Sequence, residues 1–303
     1  MIDFKEISLA DKDWMQELFG KANYNSEEYN FTFSFIWRGI FNSRVARMND
    51  YLLYKSIRHD TASYLYPPGC GDVKPVIDAL MEDARQNGHT FKFHTVLAEQ
   101  VKVLETLYPG KFEFFSLDNY FDYVYDAQSL ITLAGKKLHG KRNHINRFIA
   151  DNPDWSYEPI TPDNLPDCVA MSREWCMRHG CSEEPHLRDE TRAVHQALDH
   201  YFSLDMQGGL IRAGGRVVAF SMGERLNSDT YLVHIEKAFS DVQGAYAIIN
   251  QKFAETNCQD YLYINREDDS GQEGLRKAKL SYRPVMMVEK YAAILKEDYP
   301  ENP

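Results

Sequence analysis

The sequence lacks any apolar run that approaches the length of about eighteen residues needed to span a bilayer. Its N-terminus has early acidic residues and no continuous apolar stretch behind a basic start, so it does not read as a secretion signal. Cysteine is scarce: five residues, an odd number spread over 303 positions, argue against a disulfide framework and fit free thiols in a reducing compartment. The spacing of Cys176, His179, Cys181 and His186 matches no standard zinc pattern. We therefore predict a cytoplasmic protein with no transmembrane segment and no metal.

Basic residues are outnumbered, with 34 lysines and arginines against 45 acidic residues and a formal net charge of -11. Because phosphate neutralisation needs clustered basic side chains, the molecule as a whole is expected to repel nucleic acid and anionic membranes. The apolar and charged fractions, 44% and 26%, are those of a globular protein. Only a local cluster of basic residues could make part of the surface attract such partners.

The chain also lacks a Gly/Ser-rich or Pro-rich linker, although its length allows two domains. A pattern of strand, short loop, helix and strand occurs twice, with Tyr64 and Asp72 of the first copy echoed by Tyr231 and Asp241 of the second. A helix between two short strands is the crossover unit of parallel neighbours in a sheet. The alternative is a chance echo of a common pattern. We predict an α/β protein with mixed sheets, formed by two lobes, 1–127 and 128–303, packed together.

The C-terminal lobe has clear periodic segments. Apolar residues at helical spacing predict a helix from 163 to 179, and a second helix is expected over 186–206. Alternating segments separated by Gly214-Gly215 and 227–229 predict an antiparallel meander. The predicted strands are 209–213, 216–225 and 230–238 for the meander, then 261–266 and 285–291.

Two polar residues on the strand from 230 to 237 are candidates for catalysis. Regular alternation puts His234 and Glu236 on one face and Tyr231 on the other. A carboxylate beside an imidazole in a cleft can take a proton from an attacking amine or hydroxyl. The alternative is a structural polar pair satisfied by the adjoining strand. Asn265 lies near the C-terminal end of the next strand, where open α/β sheets bind ligands.

The segment after this strand is a candidate for anion binding. Ser240 and Gln243 have the spacing of a capping box, which predicts a helix over 242–256. Gly244 would let a ligand approach the backbone, and the first-turn amides through Ala245 could hold a phosphate or carboxylate. The alternative is an ordinary capped helix.

A second capping box, Ser270 with Glu273, precedes a predicted helix near 271–280. Arg276 and Lys279 lie close to its C-terminus and could form an anion clamp. Alternatively, they only complement the helix dipole.

The segment 127–150 contains no acidic residue and is strongly basic. On a helix, Lys137, Lys141 and His144 share one face. With Arg142, Lys141 is a candidate to contact a phosphate-bearing partner, such as a nucleotide cofactor or an RNA acceptor stem. A solvated basic face without a partner is the alternative.

Several motifs taken together resemble one bacterial family of unknown function, which is related to the C-terminal domain of phosphatidylglycerol lysyltransferase. The motifs are Leu133-Ala134-Gly135-Lys136-Lys137, Lys141-Arg142-Asn143, Ala219-Phe220-Ser221-Met222-Gly223-Glu224, His234-Ile235-Glu236-Lys237-Ala238, Asn265-Arg266-Glu267-Asp268 and Leu275-Arg276-Lys277-Ala278-Lys279. That family resembles a tandem GNAT fold and is related to the Fem-type peptidoglycan aminoacyltransferases. The resemblance covers nearly the whole chain.

The GNAT resemblance implies a donor between strands 230–237 and 261–266, with a diphosphate on the helix that opens at Gln243-Gly244. In the N-terminal copy of the repeat, the position that corresponds to Gly244 is occupied by Pro75. Proline has no backbone N–H that could bind a phosphate, so we predict that the N-terminal lobe is degenerate. The loop departs from the usual coenzyme A pattern, because Asp241 takes its first place and would repel a diphosphate. The lysyltransferase and Fem relatives use aminoacyl-tRNA instead.

We therefore predict an acyl- or aminoacyl-transferase that moves a group from aminoacyl-tRNA or acyl-coenzyme A to an amine or hydroxyl of a small molecule, peptide or lipid headgroup. Glu236 with His234 would serve as base or proton shuttle, and Asn265 would orient the acyl carbonyl. The predicted donor-binding residues are Gln243, Gly244, Ala245, Lys141, Arg142, Arg276 and Lys279. No tightly bound cofactor is expected. The alternatives are a non-catalytic nucleotide- or tRNA-binding module of GNAT fold and a homodimer formed through the aromatic segment 120–125.

Overall fold

The computed structural model describes residues 2–58, 61–181 and 183–296. Within these ranges the chain forms fourteen strands and ten α-helices. The helices are α1 (Lys12–Ala22), α2 (Phe31–Phe41), α3 (Lys74–Gln86), α4 (Ala98–Leu107), α5 (Ala127–Thr132), α6 (His139–Asp151), α7 (Leu165–His179), α8 (Pro185–Asp199), α9 (Ala245–Asn257) and α10 (Glu273–Leu280). The strands are β1 (Lys5–Glu6), β2 (Arg44–Met48), β3 (Tyr51–Arg58), β4 (Thr61–Leu65), β5 (Lys92–Leu97), β6 (Phe112–Ser116), β7 (Asp122–Asp126), β8 (Ser156–Pro159), β9 (Gln207–Ala213), β10 (Arg216–Arg225), β11 (Thr230–Ala238), β12 (Tyr263–Asn265), β13 (Met286–Val288) and β14 (Lys290–Leu295).

The strands form two mixed sheets with the same plan. The first has the order β1-β2-β3-β4-β5-β14-β6, and the second, read in the same direction, has the order β8-β9-β10-β11-β12-β7-β13. Each sheet contains a parallel pair of strands, β4 with β5 in the first and β11 with β12 in the second, and this pair has antiparallel neighbours. A helix, α3 or α9, joins the two parallel strands. The structure thus confirms the predicted repeat and the mixed α/β class.

The sixth position of each sheet holds a strand from a distant part of the chain. β14, near the C-terminus, pairs with both β5 and β6 in the first sheet. β7, which follows β6 in sequence, pairs with β12 in the second. Two compact units result: residues 1–122, 268–271 and 288–303, and residues 123–267 and 272–287. This division differs from the contiguous lobes 1–127 and 128–303, because strand pairing joins segments that are far apart in sequence.

The predicted meander is confirmed, with small differences at its ends. The β9–β10 hairpin turns at Gly214 and Gly215, whose φ angles of 59° and 74° suit a tight turn matched to the twist of the strands. α7 ends, as predicted, at a left-handed Gly180. The second predicted helix, 186–206, is shorter in the structure, where α8 ends at Asp199.

The core of the first unit is aromatic. Phe91, Phe93 and Phe112 are fully or almost fully buried, and their ring centroids lie 4.9 to 6.2 Å apart. Tyr64 stacks on Phe91 at 5.3 Å. Such offset and edge-on contacts are the favoured arrangements of aromatic rings.

A buried lysine holds three carboxylates together in the first unit. Lys290 on β14 is fully buried, and its Nζ lies 3.1 Å from Glu27 Oε1, 2.9 Å from Glu28 Oε2 and 2.6 Å from Asp122 Oδ1. Burial opposes ionisation of Glu28, but Lys290 overcomes this effect and lowers the pKa of that carboxyl below its ordinary value. β14 therefore supplies both a strand that pairs within the first sheet and the cation of this cluster.

No helix in the described ranges 2–58, 61–181 and 183–296 combines the length and apolar character that crossing a membrane would need.

Candidate functional site

A β-bulge in the second sheet changes which side chains share a face. The pairing of β10 with β11 shifts between Met222 and Gly223 and leaves His234 as the extra residue. As a result, Tyr231 and Glu236 both contact α9: the Tyr231 ring lies 5.9 Å from that of Phe253, and Asn250 donates to Glu236. The predicted placement of Tyr231 opposite to Glu236 is wrong, because one extra residue reverses the alternation of a strand.

Glu236 is the centre of a buried polar cluster at this face. Arg266 Nη2 donates to Glu236 Oε1 at 2.8 Å, and Asn250 Nδ2 donates to Glu236 Oε2 at 3.0 Å. Both ends of the ion pair are nearly enclosed, with side-chain exposures of 11% for Arg266 and 12% for Glu236. The Arg266 guanidinium lies 5.5 Å from the ring of Tyr125 and 5.0 Å from that of Tyr282. The cluster thus has a fixed carboxylate and a fixed guanidinium.

Three buried polar atoms around this ion pair have no hydrogen-bond partner among the described residues: Ser221 Oγ, Asn250 Oδ1 and Arg266 Nη1. Ser221 pairs with Glu236 across β10 and β11, so the two side chains point to the same face. An unsatisfied buried polar atom costs about 1–3 kcal/mol and is uncommon in folded proteins. Three of them around one carboxylate therefore make this cluster the candidate site for a polar ligand.

Lys141 belongs to the same cluster. Its Nζ lies 3.8 Å from the centroid of the Tyr282 ring, which Arg266 also contacts. Burial, helped by the neighbouring Arg266 cation and opposed by Glu236, lowers the pKa of Lys141 to about 8. Two residues predicted from the sequence for different roles, Lys141 and Glu236, thus lie at one site.

His234 lies between two other carboxylates. Its Nε2 is 3.0 Å from Glu224 Oε1 and its Nδ1 is 2.9 Å from Glu267 Oε1, and the side chain is fully buried. Burial favours the neutral ring, but the hydrogen bonds to Glu224 and Glu267 outweigh it and raise the pKa of His234 to about 9. At neutral pH both ring nitrogens therefore carry protons. In this arrangement His234 and Glu236 have separate partners.

The paired imidazolium makes the stability of the second unit depend on pH. Because the folded-state pKa of about 9 lies above the ordinary value, the stabilisation is fully present below pH about 6.5 and is lost as the pH rises through 9. We expect a loss of about 3 kcal/mol over this interval. Urea unfolding between pH 6 and 9.5 should show this decrease in the wild type and a much smaller one in His234→Gln. His186→Gln, at an exposed histidine, is the control, and equal pH slopes in wild type and His234→Gln would contradict the assignment.

Asn265 and Lys279 hold the turn that carries Glu267. Asn265 Oδ1 accepts a hydrogen bond from the Glu267 amide at 2.8 Å, and Glu267 has a left-handed φ of 57°. Lys279 is buried and donates to the carbonyl oxygens of Arg266 and Glu267, the latter at 3.1 Å. The predicted anion clamp is therefore wrong for Lys279, because the last turn of α10 packs on this backbone. Arg276, on the same helix, is half-buried.

The start of α9 differs from the prediction. The helix begins at Ala245, its N-cap Gly244 has no side-chain cap, and the predicted capping box of Ser240 with Gln243 is wrong. Gln243 lies in an exposed turn, and the Ala245 amide donates to Val242 O at 3.1 Å. The second predicted capping box also fails, since α10 has Gln272 as its N-cap without a side-chain bond.

Gly244 is required for packing between helices. Its φ is 86°, and a Cβ at this position would lie 2.3 Å from the carbonyl oxygen of His144 and 2.9 Å from Phe148 Cβ, both on α6. The backbone of α6 therefore occupies the side that was expected to face a ligand. Asp241 nearby is neutralised by Arg178, whose Nη1 lies 3.0 and 3.1 Å from the two carboxylate oxygens.

Arg142 binds backbone rather than the Glu236 cluster. Its Nη1 donates to the carbonyl oxygens of Leu133 and Gly135, the latter at 2.9 Å, and so braces the loop between α5 and α6. Among the donor-binding residues expected from the sequence, Lys141 places its side-chain amine against the Tyr282 ring that Arg266 also contacts, whereas the Lys279 amine binds the backbone.

Sequence reasoning missed several members of the site: Arg266, Asn250 and Ser221 around Glu236, and Glu224 and Glu267 around His234. Arg266 directly follows Asn265 at the end of a strand, and this position could have drawn attention to it. Ser221 belongs to one of the motifs that carry the family resemblance, but that motif did not single it out, and Asn250 gave no signal, since an asparagine in a helix is ordinary until a partner is known.

A family model described as "Phosphatidylglycerol lysyltransferase, C-terminal" matches residues 21–294. A conserved protein of unknown function from Bacteroides thetaiotaomicron is 41% identical, with a TM-score of 0.94 and coverage of 98% of this chain and 100% of that one. L-PGS from Bacillus licheniformis is 17% identical, with a TM-score of 0.66 over 93% of this chain and 91% of that chain, and shares the fold. A tandem GNAT protein from the clavulanic acid biosynthesis pathway is 10% identical, with a TM-score of 0.50 over the whole of both chains. An uncharacterised relative from Mycoplasmoides gallisepticum is 23% identical over 178 residues. The aligned region is 56% of this chain and 54% of the relative, so the chain spans about half of that relative's length.

Proposed function

Because the chain belongs to the family of the phosphatidylglycerol lysyltransferase C-terminal domain, we propose that its second unit is an acyl- or aminoacyl-transferase with its active site at Glu236. The observation that supports this proposal best is the set of unpartnered buried atoms on Ser221, Asn250 and Arg266 around that carboxylate. The tandem GNAT-like fold is consistent with group transfer.

The cluster has the donors and acceptors that an activated ester requires. Arg266 Nη1 and the Ser221 hydroxyl can donate hydrogen bonds to the carbonyl oxygen, which becomes negative as the acceptor attacks. The Glu236 carboxylate and Asn250 Oδ1 can accept hydrogen bonds from an amine or hydroxyl. Because these groups are buried and fixed by one another, they would hold donor and acceptor in a reactive orientation, which supplies much of the rate in such reactions.

Among donors, we propose an aminoacyl ester such as aminoacyl-tRNA over acyl-coenzyme A. An aminoacyl group carries an ammonium that Glu236 and Asn250 can bind. A coenzyme A diphosphate at Gly244 has less support, since α6 covers that position. Lys136 and Lys137, exposed just before α6, could contact the RNA backbone. An aminoacyl-tRNA donor would place the reaction in the cytoplasm, and the acceptor would be an amine or hydroxyl of a small molecule, peptide or lipid headgroup.

The test is transfer by the purified chain from a panel of aminoacyl-tRNAs and acyl-coenzyme A to amine and hydroxyl acceptors. Product formation by the wild type is expected, with Glu236→Gln reducing the rate at least about 100-fold because the isosteric amide is neutral and holds an ammonium more weakly than a carboxylate does. Glu273→Gln, at an exposed carboxylate, is the matched control. Circular dichroism would verify that each variant is folded.

The outcomes are distinct. Saturable binding of donor without product would identify a non-catalytic nucleotide- or tRNA-binding module instead. A Glu236→Gln variant that is folded and fully active would show that the active site lies elsewhere.

A further inference from the structure

Group transfer at this site needs a base, because the attacking amine or hydroxyl must lose a proton as it bonds to the acyl carbon. His234 is unsuited to this step, since both of its ring nitrogens donate hydrogen bonds, to Glu224 and to Glu267. The ring therefore has no lone pair for an incoming proton at neutral pH.

Glu236 is also poorly placed as a base. Each of its oxygens already accepts a hydrogen bond, from Arg266 and from Asn250. A carboxylate whose two oxygens are held by fixed donors is arranged to bind and orient a substrate rather than to turn towards a proton that must be removed. The residue at the centre of the cluster and the residue that removes the proton are therefore different.

Lys141 has the properties that the other two lack. Its side-chain amine makes no ion pair or hydrogen bond with the residues that the structure describes, and it lies 3.8 Å from the centroid of the Tyr282 ring. The charged and titratable groups that face it are Arg266, Glu236 and the Tyr282 phenol. Lys141 lies in the first turn of α6, where the helix dipole also disfavours a cation.

These surroundings increase the neutral form of the amine. With a pKa of about 8, roughly a tenth of Lys141 is unprotonated at pH 7, about two hundred times the fraction of an ordinary lysine. An amine that is partly neutral near physiological pH is matched to proton removal at that pH.

We propose that Lys141 is the general base, and then the general acid, of the transfer reaction at the Glu236 cluster. This inference rests on the proposed function. The neutral amine takes a proton from the acceptor as the acceptor nitrogen or oxygen bonds to the acyl carbon. As the bond from that carbon to the donor oxygen breaks, the resulting ammonium returns the proton to the leaving oxygen. Atoms and charge balance without a further reactant.

The competing role for Lys141 is a fixed positive charge that binds a phosphate. The two roles predict different effects of Lys141→Arg, because arginine keeps the charge but stays protonated at any pH used. A base would be lost in Lys141→Arg, whereas a phosphate contact would be kept. Lys102→Arg, at an exposed lysine of α4 that has no role at the site, is the matched control.

The experiment is steady-state transfer, with substrate in excess, between pH 6 and 9.5 with the donor and acceptor that give product in the panel. We expect Lys141→Arg to lower kcat at pH 7.5 by about 100-fold or more with KM for the donor little changed. The wild-type rate should increase with pH, reach half of its maximum near pH 8 and level off above about pH 9, and Lys141→Arg should lose this dependence. A Lys141→Arg variant with wild-type rate and pH profile would overturn the base assignment while leaving the proposed function intact.

A second measurement does not depend on activity. Competitive acetylation of the wild-type protein by trace acetic anhydride at a series of pH values, read by mass spectrometry, gives the titration of each lysine. Lys141 should titrate near pH 8, well below the range of an ordinary lysine. An ordinary profile for Lys141 would overturn the base assignment by itself. If no donor in the panel gave product, the proposed function would fail, and the base assignment with it.

Discussion

Lys290→Met is expected to lower the free energy of unfolding of the first unit by about 3–5 kcal/mol at pH 7. Lys290 is the cation that Glu27, Glu28 and Asp122 all contact, at 3.1, 2.9 and 2.6 Å. Without it, these carboxylates would repel one another in a buried space, and methionine offers no hydrogen bond. Removing one partner of a buried ion pair is destabilising because the remaining charges stay desolvated.

The sign of the pH dependence gives a further check. In the wild type the lowered pKa of Glu28 supplies stability that is present at neutral pH and is lost as the pH falls through that pKa. In Lys290→Met the carboxyls would instead take up protons readily, so the difference between the two proteins should shrink as the pH falls towards 4. Urea unfolding at several pH values measures this difference, and hydrogen exchange in peptides from β5 and β6 locates it. Lys296→Met, at an exposed lysine, is the control, and equal stability of wild type and Lys290→Met at pH 7 would refute the argument.

Arg266→Lys is expected to reduce transfer by about 100- to 1,000-fold while the protein remains folded. The substitution keeps a cation beside Glu236 but removes the planar fork, in which Nη2 binds Glu236 at 2.8 Å and Nη1 is left for the ligand. A single ammonium cannot keep the ion pair and donate along the direction of Nη1 at the same time. The loss should appear mainly in kcat, since the oxygen bound by Nη1 gains its charge in the transition state.

The measurement is kcat and KM for the donor and acceptor that give product, with thermal unfolding to verify the fold. Arg216→Lys, at an exposed arginine of β10, should behave like the wild type. If Arg266→Lys raised KM alone, Arg266 would bind the ground state rather than the developing charge.

The elements of the C-terminal half were predictable because their signals are local. Alternation and the Gly214-Gly215 turn are properties of adjacent residues, and they located β9, β10 and β11 to within a few positions. The start of α9 could not be predicted from the sequence in the same way. The spacing of Ser240 and Gln243 indicated a start near residue 242, but the helix begins after Gly244, which has a left-handed conformation and packs on α6. A contact between two helices decided that boundary.

The candidate site was predictable in part. Glu236 and Lys141 were identified as polar or basic residues in unusual local settings, and the structure places both at one cluster. Their exact neighbours were not accessible, since the bulge at His234 leaves no mark in a single sequence and yet reverses the direction of every side chain beyond it.

The sequence by itself determined the fold class, the repeat and the family, because hydrophobic periodicity, turn residues and motif spacing act over a few neighbouring positions. Only the tertiary structure decided that β14 completes the first sheet and β7 the second, and which carboxylates each buried basic residue contacts. Lys290 lies at the far end of the chain from Glu27, and Arg266 is separated from Glu236 by a whole helix. Such charges pair because burial makes an unpaired charge costly, and burial is a property of the folded chain rather than of any segment.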